Sequence, residues 1–277
     1  MPPLSEAVAT KLLASIKLPP RPAAMAAIAE EKRRDAPDFR RISREISNDV
    51  ALAAAVLKTV NSPLFGRPRK IASIDQAVSM LGLNNIDALV AGLSLRALVP
   101  SAGMVNFWEG SMRTAMVSAW LSHRLGGSNK ELAHLYGLFH DCAIPILLGR
   151  FADYGETLEM ATRGESLFID LENARHGTNH VIVGNLLATN WHLPEIVRQA
   201  INLHHAPELF NDDQPKPVRM LIALGRLAEA MEESHSGIFR DAEWPRFEAT
   251  ILDFLNLSTH ELADLRDDIH ELLTHEV

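Results

Sequence analysis

His140 and Asp141 stand side by side in Phe139-His140-Asp141, at the end of an apolar run with helical spacing. Adjacent helical positions point about 100° apart, so an ion lying beside the helix can be reached by both side chains. An imidazole next to a carboxylate suits divalent iron, manganese, zinc or nickel. Two residues do not make a site, and other histidines must join them. His204-His205 close a segment that opens at Pro194, and His180 lies between the two groups. His176 and His180 are four apart and would share a helix face, but Gly177 between them argues against a continuous helix. A histidine at a helix C-terminus also has a plain electrostatic use, because its cation is favoured by the helix dipole. The chain holds 12 histidines and one cysteine. Cys142 alone can form neither an internal disulfide nor a cysteine-built zinc site; it reads as a small core residue. His123, His134, His192, His235, His260, His270 and His275 read as incidental.

The elements that must position these groups are helical. The chain is 277 residues long, 47% hydrophobic and 22% charged, which is ordinary for a globular protein. It shows neither alternating β-branched runs nor an Asn-Gly or Asp-Gly hairpin turn, so the fold class is all-α. Helices are expected over about 5–16, 23–34, 38–47, Val50–Val60, 73–82 and 84–98. Pro100-Ser101-Ala102-Gly103 then breaks the pattern. Further helices are expected over 106–125, 129–142, 146–162, 166–175, 178–190, 194–204, 216–233, 243–254 and 259–273. Ser73, Ser128 and Ser258 each begin a capping-box pattern. The Asn61–Arg69 loop is expected to bury Leu64 and Phe65. Residues 1–100 carry 14 Lys+Arg against 9 Asp+Glu, and residues 101–277 carry 13 against 26. That change of sign places a subdomain boundary at residue 100, giving 1–100 and 101–277.

The net charge of −8 argues against a uniformly basic nucleic-acid binder. Lys32-Arg33-Arg34 and Arg40-Arg41-Arg44 have no aromatic residues among them to stack bases, so nucleic acid is not an expected partner. Neither a phosphate-binding Gly-x-x-x-x-Gly-Lys-Ser/Thr loop nor a Gly-x-Ser-x-Gly elbow occurs. The start has no charged and apolar leader pattern, and apolar runs are interrupted before about 18 residues. The expected location is cytoplasmic, without a membrane helix.

The order of the motifs is more specific than any one of them. Leu18-Pro19-Pro20-Arg21-Pro22, Asn61-Ser62-Pro63-Leu64-Phe65-Gly66, Phe107-Trp108, His140-Asp141, Trp191-His192-Leu193-Pro194-Glu195 and His204-His205-Ala206-Pro207 follow in sequence. This pattern resembles the HD superfamily of helical metal phosphohydrolases. More closely, over about residues 17–210, it resembles the HDOD group, the HD-related output domain of bacterial signalling proteins. The resemblance implies a helical HD-like domain preceded by a packed N-terminal helical subdomain. It also implies a metal cluster of His140, Asp141, His180, His204 and His205. In catalytic HD proteins a histidine on the preceding helix and a later aspartate complete the ligands. The pattern places these at Gly110 and Gly225, and glycine cannot ligate. The resemblance therefore implies a non-enzymatic regulatory module acting on a signalling protein partner. No cofactor is expected beyond an adventitious divalent metal. The alternative is a metal-dependent phosphohydrolase acting on nucleotides or cyclic dinucleotides. The retained polar residues could also serve as an internally hydrogen-bonded core cluster.

Overall fold

A computed structural model describes residues 16, 18–61, 70–98, 105–164, 166–206, 210, 214–236 and 243–274. The expected helix over 5–16 (except Ile16), the loop tip with Leu64 and Phe65, and the break at 100–103 lie outside these residues. Fourteen helices and no strands occur among the described residues, so the chain is all-α.

Helices α1 (Ala23–Glu31), α2 (Phe39–Ser47), α3 (Val50–Val60) and α4 (Ile74–Leu98) build the first part. Each start has a local cause. Asp38 accepts from the backbone N–H of Arg40 and Arg41, and Asp49 from Leu52, satisfying donors that a helix N-terminus otherwise leaves open. Ser73 accepts from Gln76 N–H. α4 bends at Gly82, whose φ of 71° is a conformation that glycine adopts without penalty. Asn61 links the end of α3 to Ile71: its side chain donates to Leu57 O and Ile71 O and accepts from Ile71 N–H.

The second part contains α5 (Val105–Leu125), α6 (Lys130–Phe139), α7 (Ile144–Arg150), α8 (Tyr154–Thr162), α9 (Phe168–His176), α10 (His180–Asn190) and α11 (Glu195–Leu203). α12 (Lys216–Ser236), α13 (Trp244–Leu255) and α14 (Thr259–Thr274) complete it. The helix expected over 146–162 is two helices. Phe151 is extended at φ −116°, ψ 121° and ends α7; its side chain stacks on His176, so tertiary packing outweighs local propensity. The cap of α6 is Asn129, not Ser128. At α14 the capping box forms as expected: Ser258 Oγ accepts from Glu261 N–H, and the Glu261 carboxylate accepts from Ser258 N–H.

One hydrophobic core runs from α1 to α14 and includes Ile28, Val56, Val90, Leu121, Phe139, Trp191, Leu224 and Ile269. α5 and α6 pack most intimately. A Cβ on Gly137 would stand 2.9 Å from both Ala115 Cα and Ser118 Oγ, so only glycine allows this approach. The stretch Lys130–Arg150 is apolar enough to pass as a membrane span by composition, unlike any run expected from sequence, but most of it is buried inside the fold. Trp191 Nε1 donates to Pro19 O, which joins the Pro-rich entry to the end of α10.

Candidate metal centre

His140 and Asp141 lie in the tight turn between α6 and α7, not within one helix. That turn lets neighbouring residues face the same space. His180 is the first residue of α10, fixed by the Asn179 cap on Ile182 N–H. Gly177, at φ 67°, separates it from His176. His176 therefore points elsewhere, with Nε2 2.8 Å from Thr157 Oγ1, and takes no part in the cluster. His204 and His205 follow α11 directly.

These elements bring four donor atoms together. His180 Nε2 lies 3.0 Å from His205 Nε2 and 3.4 Å from His204 Nε2. Asp141 Oδ1 lies 3.4 Å from both His180 Nε2 and His204 Nε2. A tetrahedral ion with bonds of 2.0–2.1 Å holds its ligands about 3.4 Å apart. The proton positions point the same way. His180 Nδ1 is 2.6 Å from the Glu172 carboxylate, His204 Nδ1 2.8 Å from Ile201 O, and His205 Nδ1 2.6 Å from the Glu243 carboxylate. The atoms opposite Nδ1 of His180 and His204 are acceptors, so those two nitrogens carry a hydrogen, whereas His205 Nδ1 faces both the Glu243 carboxylate and the Arg226 Nη2 donor, at 2.9 Å. The three Nε2 atoms face one another, and Asp141 Oδ1 is buried without a hydrogen bond; burial would lower the His180 pKa, but Glu172 and Asp141 override this and raise it. A buried carboxylate oxygen left without a hydrogen bond is costly. A divalent cation satisfies all four atoms at once, and the donor set fits one.

Carboxylates behind the imidazoles set their orientation, as second-shell partners of metal-bound histidines do. Glu172 is fully buried and accepts from Tyr154 OH (2.5 Å), His180 N–H and His180 Nδ1. Glu243 accepts from His205 and from Phe168 N–H, and Arg226 stands 3.2 Å from it. Burial lowers the His204 pKa to about 4, against the pull of Asp141, and drives His205 well below the usual range. Both rings are thus neutral, as ligation requires. Burial opposes the charged form of Asp141, but His140, His204 and His180 together hold its carboxyl well below the usual range.

His140 faces a different neighbour. Its Nδ1 is 2.9 Å from Gly137 O, and its Nε2 is 2.8 Å from Glu229 Oε1 and 3.4 Å from Asp141 Oδ2. Burial alone would lower its pKa, but Asp141 and Glu229 override this and raise it to about 9.

Both glycines flagged in the sequence lie near this cluster. A Cβ on Gly225 would run into the Tyr136 ring, whereas one on Gly110 would meet only the Glu232 carboxylate, at 3.8–3.9 Å. The cluster borders a cavity of about 150 Å³, lined by Asp141, Glu229, Glu232 and Glu243 among others. Glu172, Glu229 and Glu243 are site residues that the motifs did not single out. Of these only Glu229 carried a signal: it lies four residues after Gly225, on the same helix face.

An HDOD domain model matches residues 18–207, more than half of the chain. The chain belongs to the HDOD family. A Treponema pallidum protein without an assigned function is 27% identical over 192 residues, 66% of this chain. The match spans only 36% of that relative's length, so the HDOD chain corresponds to about a third of it. Among solved structures, a Shewanella amazonensis SB2B protein provisionally named a phosphohydrolase superposes with a TM-score of 0.74. It is 21% identical and covers 98% of this chain and 96% of its own. A Marinobacter aquaeolei VT8 protein provisionally named for signal transduction gives 0.70, with 21% identity over 97% of this chain and 62% of its own. At these identities the likeness is one of fold.

Proposed function

We propose that this HDOD domain is a regulatory module that binds a divalent cation through His180, His204, His205 and Asp141 and acts on a protein partner without turning over a substrate. The observation that carries this reading is the completeness of the donor set. Three imidazoles and one carboxylate already satisfy a four-coordinate ion, and a catalytic centre keeps a position open for water or substrate. The adjoining cavity supports the same reading. At about 150 Å³ it is smaller than the 300 Å³ or more typical of small-molecule sites. Its lining sets four carboxylates, Asp141, Glu229, Glu232 and Glu243, against Arg226 and the protonated His140, a net negative balance that disfavours a phosphate ester. The ligands come from the α6–α7 turn, α10 and the end of α11, so the ion would fasten three elements and fix the surface that they present to a partner. The Marinobacter protein's name agrees with such a role.

A second reading is a metal-dependent phosphohydrolase of the HD type, in line with the Shewanella protein's name. One observation favours it: the Asp141 carboxylate turns one oxygen to His180 and His204 and the other to His140. Two-metal hydrolases use a carboxylate in this way. Elemental analysis of the purified protein, with a phosphoesterase screen under Mn²⁺, Fe²⁺ and Zn²⁺, separates the readings. The regulatory reading expects about one equivalent of bound metal and no turnover. Turnover that disappears in Asp141→Ala would establish the hydrolase instead, and metal-free protein that takes up no added metal would remove the metal centre.

A further inference from the structure

Helix α2 packs against α4, and a groove of about 570 Å³ runs between them. We propose that this groove binds a nucleoside monophosphate. Arg40 and Arg44 take the phosphate, and Ser43, Ser47 and Ser79 add hydroxyl donors. Phe39 covers the base, and Asp75 accepts from an N–H or O–H of the ligand. The site shares no lining residue with the cavity at the metal centre and does not depend on the metal reading. It gives the regulatory module a small-molecule input of its own, on the first part of the chain.

Four observations carry the assignment. First, the lining comes from one face of each helix. Arg40, Ser43, Arg44 and Ser47 recur at i, i+3, i+4 and i+7 along α2, and Asp75 and Ser79 at i and i+4 along α4. Second, the two arginines lack the counter-charges that their neighbours have. Arg34 and Arg41 pair with Glu31, Arg41 also with Glu30, and Lys32 with Asp87. The Arg40 and Arg44 side chains form no ion pair among the described residues. Third, the hydroxyls are unspent. A helical serine or threonine can bond the carbonyl one turn back, as Thr59, Ser111, Thr162 and Thr274 do. The Ser43, Ser47 and Ser79 hydroxyls make no hydrogen bond to a described residue, although Ser43 is buried. Fourth, the Phe39 ring lines the same groove and is 39% exposed, one of two large hydrophobic side chains left so open among the described residues.

The chemistry of the lining selects the ligand. Guanidinium groups hold phosphate oxygens through paired, charge-assisted hydrogen bonds, and grooves of about 300–1,000 Å³ suit small molecules. Two guanidinium groups against one carboxylate leave a positive balance, the reverse of the cavity at the metal centre. Inorganic phosphate alone would leave Asp75 and Phe39 without a role, because a carboxylate repels it and a ring has nothing to cover. A nucleotide meets all three groups at once: phosphate on the arginines, base on the ring, and a donor on the carboxylate. One ring serves one base, whereas a strand needs several in succession, so the ligand is a mononucleotide.

The test is calorimetric titration of the full-length protein with adenosine, guanosine, cytidine and uridine 5′-monophosphates, with inorganic phosphate and with a phosphoserine peptide. At least one nucleotide should bind with a Kd below ~1 mM and at least ~10-fold more tightly than inorganic phosphate. Arg40→Gln and Arg44→Gln should each weaken that nucleotide at least ~10-fold. Phe39→Ala should remove its advantage over inorganic phosphate. All three side chains are exposed, and an unchanged urea midpoint confirms that each variant folds. Failure of all four nucleotides to bind below ~1 mM would overturn the site. Wild-type affinity in a folded double variant, Arg40→Gln with Arg44→Gln, would also overturn it by placing the phosphate elsewhere. Inorganic phosphate bound as tightly as every nucleotide would remove the role of Phe39 and the nucleotide assignment with it. A phosphoserine peptide bound more tightly than every nucleotide would make the groove a protein-docking site instead.

Discussion

At the scale of single residues, the centre depends on groups that never touch the ion. Glu172 has no access to water, yet it carries a carboxylate that accepts three hydrogen bonds. Replacing it with glutamine puts an N–H₂ where two donors already point, or leaves one of them unmet. We expect Glu172→Gln to weaken Zn²⁺ binding 10–100-fold and to destabilise the metal-free fold by about 1–3 kcal/mol. Competition with a chromophoric chelator reads the first effect and a urea melt the second; unchanged zinc affinity in a folded variant would show that Glu172 does not orient His180. The sequence made the ligands legible because His-Asp and His-His are adjacent pairs. It hid their supports because Glu172 and Glu243 reach the site only through the packing of α9 and of the turn before α13. Neither shares a motif with the histidine it holds.

At the scale of elements, most helices were legible because their caps and apolar spacing agree. Asp38, Asp49 and Ser258 mark the starts that the structure contains. The break at Phe151 was not legible, since the side chain that favours it, His176, lies 25 positions further along the chain. The α5–α6 contact offers a direct test of packing. Gly137→Ala would place a methyl 2.9 Å from the α5 backbone at Ala115, where it cannot move aside. It should destabilise the protein by about 1–3 kcal/mol or more, read as a lower urea midpoint. The same helix, α6, carries a histidine that resists protonation. Burial holds the His134 pKa at about 4, against 6.5 in an unfolded chain. Between pH 6.5 and 4 the unfolded state therefore binds more protons than the folded state, and stability falls as the pH falls through that window. His134→Gln should lose less stability than wild type between pH 7 and pH 5, by a difference on the order of 1 kcal/mol. Urea melts at the two pH values check this, and equal losses would locate the acid sensitivity elsewhere.

At the scale of the whole molecule, the candidate centre draws together elements that are distant in sequence. Asp141, His180 and the His204-His205 pair come from the α6–α7 turn, the start of α10 and the end of α11, and the core around them runs from α1 to α14. The net charge and the histidine count gave no indication of this convergence; the ordered motifs did, because they carry the topology of a family. A ligand that binds only the folded state raises its stability by RT ln(1 + [L]/Kd), about 2.7 kcal/mol at a hundred times Kd. In a chain of this size that amounts to roughly 5–10 °C in melting temperature. Calorimetry with saturating Zn²⁺, and again after chelation, should show this shift in wild type. It should vanish in His204→Ala, whose missing ring removes one of the four donors, and persist in Glu229→Gln, which leaves all four in place. A shift of the same size in His204→Ala would mean that zinc stabilises the fold from some other position, and the convergence of the three elements would then be a matter of hydrogen bonding alone.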